Sequence, residues 1–453
     1  MHKNVFPSRL CGALSAMPSK SASHRAVLLA ALCAGTTQIA PLQLSQDGRA
    51  TLSCAQALGL TAGADIAPIP GLPGFVRARI TGGGYGVPDA ASGNAACVDS
   101  TAPRGGTACA HAPALRTLDC GESGSTLRFF IPLALDGRGP VRFVGRGRLM
   151  QRPLSIYEEL FVPRGVRWTR QGDDLLVEGK LAPGVFTLPG DVSSQFITGL
   201  LLALPLAHGD SRLQLTTPLQ SRAYVELTRR VQAAFGVVSH WEDGGQALVI
   251  PGGQMPVSPG DAVVEGDWSH AAFTLVAGAL GGPVRLTGLD ESSAQGDRAI
   301  VDILRAMGAD IRWEGGALVS RPSSLHAADV DASQVPDLVP ILAVALAAAR
   351  GESRITGAAR LRIKESDRLS AMRAALCAAG ADVTELPDGL IIRGGRPLHA
   401  ASVDGCNDHR VVMAMAVASA LSDGPFTISD AEAVAKSAPA FWEEFAKLGG
   451  DAR

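Results

Sequence analysis

Seven short polar motifs hold most of the side chains in this chain that could do chemistry. They are PSKSASHR (18–25), CGESGST (120–126), DVSSQ (191–195), PD (336–337), KESDR (364–368), CNDHR (406–410) and AKSAP (435–439). Each runs directly into an apolar or amphipathic stretch, which places it at the entry of a helix. A helix N-terminus presents about four unpaired N–H groups and roughly half a positive charge, so it attracts anions. Ser, Asp and Asn there are ordinary caps and need no ligand. The cations are not explained by capping. Lys20, Arg25, Arg128, Lys364, Arg368, Arg410 and Lys436 all read as lying at or just inside such termini. There a positive charge is unfavourable by about 0.3–1 kcal/mol. Repeating that placement implies bound anions that offset it, and a ligand carrying several negative groups such as phosphates and carboxylates. RLRIKESDR (360–368) is the densest case, with six charged residues in nine positions. Arg360 and Arg362 read as alternating along a strand that leads into a helix capped by Ser366 or Asp367.

The elements that must position these motifs recur. An amphipathic helix, a glycine and a short strand pattern repeat at Gly165, Gly236, Gly308, Gly380 and Gly449, every 69 to 72 residues, with a weaker copy at Gly59. Glycine is expected there because it takes the left-handed geometry of a helix C-terminus freely. A second phrase runs in step, a nearly all-apolar helix entered through a polar motif near Ser23, Ser125, Ser194, Ser269, Asp337 and His409. Six α/β units result, which implies two globular domains with internal pseudo-symmetry. One interval is long, and the surplus coincides with the Gly/Ala/Cys-rich stretch 81–113, expected to be a loop insertion.

Composition narrows the class. A length of 453 residues, 46% hydrophobic and 19% charged, is globular and long enough for two or three domains. A net charge of −2 offers no overall field for nucleic acid or a membrane surface. Eight cysteines contain no CxxC pair, so reduced thiols in a cytosol are expected. RAVLLAALCAG (25–35) has the look of a signal-peptide core, but the polar motif before it favours a buried helix. GRGPVRFVGRGR (137–148) is expected to be a strand between glycine turns, and GGGYG (82–86) lacks the Lys of a phosphate loop.

Taken together and in this order, PSKSASHRAVLLAAL, LDCGESGSTLRF, the Arg-Pro of QRPL, SSQFITGLLLALPL, LRIKESDRL, DHRVVMAMA and VAKSAPAF resemble the 3-phosphoshikimate 1-carboxyvinyltransferase (EPSP synthase) family over essentially the whole chain. The resemblance implies an α/β (α+β) fold of two domains, each of three βαβαββ units, with the active site in the cleft between them. The expected domains are 1–18 with 264–453, and 19–263. The implied reaction moves the enolpyruvyl group of phosphoenolpyruvate to the 5-hydroxyl of shikimate 3-phosphate by addition and elimination, on the way to chorismate and the aromatic amino acids. No metal or organic cofactor is implied. The expected partners are these two small molecules, not nucleic acid or membrane, and a cytoplasmic monomer is expected.

By motif, Lys20, Gly124, Arg152, Gln195, Arg368, Arg410 and Lys436 are expected at phosphoenolpyruvate. Ser21, Arg25, Ser193, Ser194, Gln195, Ser221, Tyr224, Asp337 and Lys364 are expected at shikimate 3-phosphate. Asp337 is the expected base for the hydroxyl, and Glu365 the proton shuttle, with Lys20 and His409 assisting. Four positions depart from the commonest family pattern: Glu122 and His24 where many members have Asn, Phe129 after Arg128, and Arg360. A carboxylate at Glu122 would oppose phosphate binding unless a cation pairs with it. Two alternatives share these features. A UDP-N-acetylglucosamine enolpyruvyl transferase would use a loop cysteine, for which Cys97 or Cys109 is placed, and a non-catalytic relative would keep only the anion site.

Overall fold

The computed structural model describes residues 1–72, 74–83 and 114–453. Among them run twelve α-helices: α1 (Lys20–Leu32), α2 (Gln46–Ala57), α3 (Gly124–Leu133), α4 (Ser155–Phe161), α5 (Ser194–Ala203), α6 (Arg222–Ala234), α7 (Trp268–Leu280), α8 (Ile300–Ala306), α9 (Val339–Ala348), α10 (Arg368–Ala378), α11 (His409–Ala418) and α12 (Phe441–Lys447). The odd-numbered helices are the apolar ones and are buried almost all round, as α9 is from Val339 to Ala347. Each fully buried Leu or Ile there stabilises the fold by roughly 1.5–3 kcal/mol relative to its exposed state. The even-numbered helices show one face to solvent. The segment 25–35 is indeed a buried helix with a short strand start, and Val141–Val144 is the strand expected between glycine turns.

Six four-stranded sheets share one pattern. In the clearest, Arg116–Asp119 pairs in parallel with Val141–Val144, which pairs antiparallel with Asp174–Glu178, itself antiparallel to Arg167–Gln171. With α3 and α4 in the crossovers, this is one βαβαββ unit. The same order holds five more times, so the 70-residue phrase of the sequence is a structural unit.

Three units borrow a strand across the chain. Lys3–Phe6 lies antiparallel between Phe426–Ile428 and Asp451–Ala452, Gly12–Ser15 pairs in parallel with Val284–Thr287, and Asp261–Ala262 pairs in parallel with the strand Ala34–Leu42. The chain therefore crosses between the halves twice, between residues 15 and 20 and between 262 and 268. Two separate cores follow. One gathers Ala22 to Val264; the other gathers Val5 to Met17 and Trp268 to Leu448, joined by Phe75. The fold is α/β, with two domains of three units each and a cleft between them.

Residues 81–83 continue the strand Val76–Gly83 and are not loop; the rest of the expected insertion, 84–113 with Cys97 and Cys109, lies outside the described residues. The segment 359–363, expected as a strand, is a 3-10 turn. No described helix is long and apolar enough to cross a membrane.

Candidate active site

The N-termini of the buried helices converge on the cleft. From the first half, α1 supplies Lys20, Ser21 and Arg25, α3 supplies Gly124 and Arg128, and α5 supplies Ser194 and Gln195, with Ser193 as its cap. Ser19 caps α1 through the Ala22 N–H, which turns the Lys20 end toward the cleft. Lys20 Nζ lies 3.0 Å from Asp47 Oδ2, at the start of α2. Arg25 donates to Thr228 Oγ1 at 2.8 Å and to the Ser21 carbonyl at 2.6 Å, and burial lowers its pKa to about 10. Arg128 donates to Gln195 Oε1 at 2.8 Å, and Gln195 donates onward to Ser125 at 3.0 Å. A Cβ at Gly124 would stand 2.7 Å from Arg152 Nη1 and 3.0 Å from Arg128 Nη1, so glycine lets two guanidiniums approach the α3 backbone.

The second half faces these groups with Asp337, Lys364, Glu365, Arg368, His409 and Arg410. Arg368, at the start of α10, is 1% exposed and is held by three carboxylates: Asp408 Oδ2 at 2.8 Å, Glu365 Oε2 at 2.8 Å and Asp337 Oδ1 at 2.9 Å. Burial works against its charge, but those three anions outweigh burial and raise its pKa. The converse holds for the acids. Burial pushes Glu365 up, yet the charges of Arg368, Arg152 and Lys364 hold it well below the usual carboxylate range. Asp337 is likewise held low, against burial, by Arg410, Lys364, Arg368 and a hydrogen bond from Tyr224. Burial, then the Lys20 charge, keeps His409 well below its ordinary value, so its imidazole is neutral. Neither of its ring nitrogens has a hydrogen-bond partner.

The halves touch across the cleft. Tyr224 donates to Asp337 Oδ2 at 2.8 Å, Arg360 donates to Ser221 Oγ at 2.7 Å, and Arg152 Nη2 is 3.4 Å from Glu365 Oε1. A cleft of this kind, rich in guanidiniums and ammoniums with two ionised carboxylates among them, suits polyanions whose conversion requires proton movement.

Every site residue expected from sequence lines this cleft except Lys436. Lys436 ends a 3-10 segment (Ala431–Lys436) and is not at a helix N-terminus. Its ammonium sits 2.6 Å from Glu122 Oε2 and 2.7 Å from the Asn407 carbonyl. The dipole argument therefore does not apply to it, and the cation that Glu122 required is found to be Lys436. Sequence reasoning missed Asp47, Ser125 and Arg360 as cleft residues. Arg360 is buried because the 3-10 turn directs it inward to Ser221 and the Ser333 carbonyl, where a strand would have left it in solvent. The cation Arg128 was visible in the sequence, whereas Asp47 carried no signal beyond an ordinary acidic first turn.

A sequence profile described as EPSP synthase (3-phosphoshikimate 1-carboxyvinyltransferase) matches residues 6–67 and 96–445. The chain belongs to the EPSP synthase family. The 3-phosphoshikimate 1-carboxyvinyltransferase of Clostridium novyi (strain NT) is 41% identical over 448 residues, covering 98% of this chain and 97% of that protein. That of Clostridium kluyveri is 38% identical over 454 residues, covering 99% and 97%. Among solved structures, EPSP synthase from Acinetobacter baumannii superposes with a TM-score of 0.73 at 26% identity, over 100% of this chain and 99% of that one. The enolpyruvyl transferase NikO from Streptomyces tendae, at 18% identity, shares the fold with a TM-score of 0.73 over 100% and 98%.

Proposed function

We propose that this protein transfers the enolpyruvyl group of phosphoenolpyruvate to the 5-hydroxyl of shikimate 3-phosphate, with release of inorganic phosphate. The observation that carries the assignment of roles is the Arg368 cluster, which ties Asp337 and Glu365 together in a cation-lined cleft. In the addition step Asp337 takes the hydroxyl proton, the oxygen bonds to C2 of phosphoenolpyruvate, and Glu365 delivers a proton to C3. In the elimination step Glu365 takes a proton back from C3 while the C2–O bond to phosphate breaks. Lys20 and the neutral His409 assist these transfers. Lys20, Gly124, Arg152, Gln195, Arg368 and Arg410 hold phosphoenolpyruvate, with Lys436 behind them. Ser21, Arg25, Ser193, Ser194, Ser221, Tyr224 and Lys364 hold the shikimate phosphate and ring.

Both carboxylates are held ionised by Arg368 and Lys364, with Arg410 beside Asp337 and Arg152 beside Glu365. Two incoming polyanions offset Arg368, Arg152 and Lys364, so substrate binding raises the Glu365 pKa toward a value at which it can carry a proton. A division near residues 18 and 264 fits the two crossovers of the chain. A cytoplasmic monomer completes the proposal, in keeping with the unpaired thiols among the described residues. Incubation with both substrates, followed by phosphate release, is the test; a folded protein that releases none overturns the proposal.

A further inference from the structure

Behind Asp337, away from the cleft mouth, stands a second buried carboxylate. Asp297 lies in the turn Gly296–Ala299 and is 3% exposed. Its Oδ2 accepts the Ser269 hydroxyl from the first turn of α7 and lies 3.4 Å from Tyr224 Oη. Its Oδ1 is buried with no hydrogen-bond partner. Tyr224 Oη is 2.8 Å from Asp337 Oδ2. One phenol hydrogen is therefore placed between two carboxylates and can serve only one.

The surroundings decide which. The groups facing Asp297 are Tyr224 from α6, Asp267 capping α7 and Ser269 in its first turn, Asp337 from the turn before α9, and Arg410 from α11. Arg410 is the one cation among these, and it is committed to the other acid: Nη1 donates to the Asp337 carbonyl at 2.9 Å and Nε is 3.6 Å from Asp337 Oδ1. An ionised Asp297 would leave a buried carboxylate oxygen unpaired beside two further acids, which is costly; a neutral one avoids most of that cost. Burial, and then the Asp337 charge, push its pKa up to about 7.

We propose that Asp297 is a positioning residue for the transfer reaction, acting through Tyr224: in its protonated form it leaves the phenol hydrogen to Asp337 and so fixes the direction in which Asp337 presents its free oxygen to the substrate hydroxyl. When Asp297 ionises, it competes for the same hydrogen and Asp337 loses its fixed orientation. Nothing is oxidised or reduced, and the proton on Asp297 stays there through turnover. The inference rests on Asp337 being the acceptor of the hydroxyl proton in the proposed reaction.

The test is the pH profile of kcat/KM for shikimate 3-phosphate. The active form holds the proton, so activity is full below the Asp297 pKa and falls as pH rises through about 7, by about tenfold per pH unit beyond it. Asp297→Asn cannot ionise and keeps the shape; its profile should lack that alkaline fall while its activity at pH 6 stays close to that of the parent. Ser269→Ala removes a donor that favours the ionised form, so the fall should move upward by roughly half to one pH unit. An Asp297→Asn profile that keeps the parent's alkaline fall, or a Ser269→Ala profile that does not move, overturns the inference. A parent without turnover at any pH counts instead against the reaction itself.

Discussion

Arg368 is the residue on which the site is organised. Its three nitrogens meet three acids from three segments, and it is almost wholly removed from water. Breaking such a buried pair by removing one partner costs about 3–5 kcal/mol, because the remaining charge is stranded. Glu365 is the partner that can be changed most safely, since Asp337 and Asp408 still compensate the guanidinium and the amide of glutamine can still accept its N–H. Glu365→Gln should therefore fold and bind shikimate 3-phosphate with nearly unchanged affinity, read by calorimetry. Its turnover should fall by about 100-fold or more, since an amide cannot carry the C3 proton. Unchanged phosphate release would remove Glu365 from the proton path.

The recurring element is a helix closed by glycine. Gly165, Gly236, Gly308, Gly380 and Gly449 have φ between +75° and +94°, and the weaker copy Gly59 has φ +74°. The periodic glycines in the sequence were thus read correctly as helix ends, because an L side chain is penalised in that geometry. Gly236, after α6, separates conformational cost from crowding, since nothing lies within 4 Å of where its Cβ would be. Gly236→Ala should lower stability by about 1–2 kcal/mol through backbone strain alone. Chemical denaturation would read this as a lower midpoint with an unchanged slope, and an unshifted midpoint would contradict the capping role.

At the scale of the molecule, the halves are joined by two chain crossovers and by polar contacts at the cleft. One of these lies at the rim. Glu122, just ahead of α3, accepts from Lys436 and from Asn407 Nδ2 at 3.2 Å, both on the opposite half. Gly147, at φ +56°, leaves room for it: a Cβ there would stand 2.7 Å from Glu122 Oε2. The opposite side is strained to meet it, with Cys406 and Asn407 at φ +52° and +49° and the Asn407 N–H held by Asp430 Oδ2 at 2.9 Å. With Lys436 buried and Glu122 partly exposed, this ion pair contributes on the order of 1 kcal/mol, roughly a fivefold bias toward the arrangement in which the halves meet. Glu122→Gln should raise the radius of gyration of the ligand-free protein in small-angle scattering, with substrates restoring it. An unchanged radius would show that the pair does not hold the halves together.

Much of this protein is local and was legible in one dimension. Helix period, cap residues and turn glycines act over a few residues, so six units, their apolar helices and the cations at their entries could be read from RLRIKESDRLSAM and its counterparts alone. The resemblance then assigned the cleft residues from Lys20 to Arg410. What only the tertiary structure decided depends on segments far apart in the chain. Lys436 turned from the cleft to Glu122, Arg360 turned inward from an irregular turn, and Asp47 came to rest on Lys20. Asp297 came to share one phenol hydrogen with Asp337. None of these pairings has a sequence period, because each is set by how two separately packed cores meet across a gap, and a side chain's partner there is chosen by distance and charge in space.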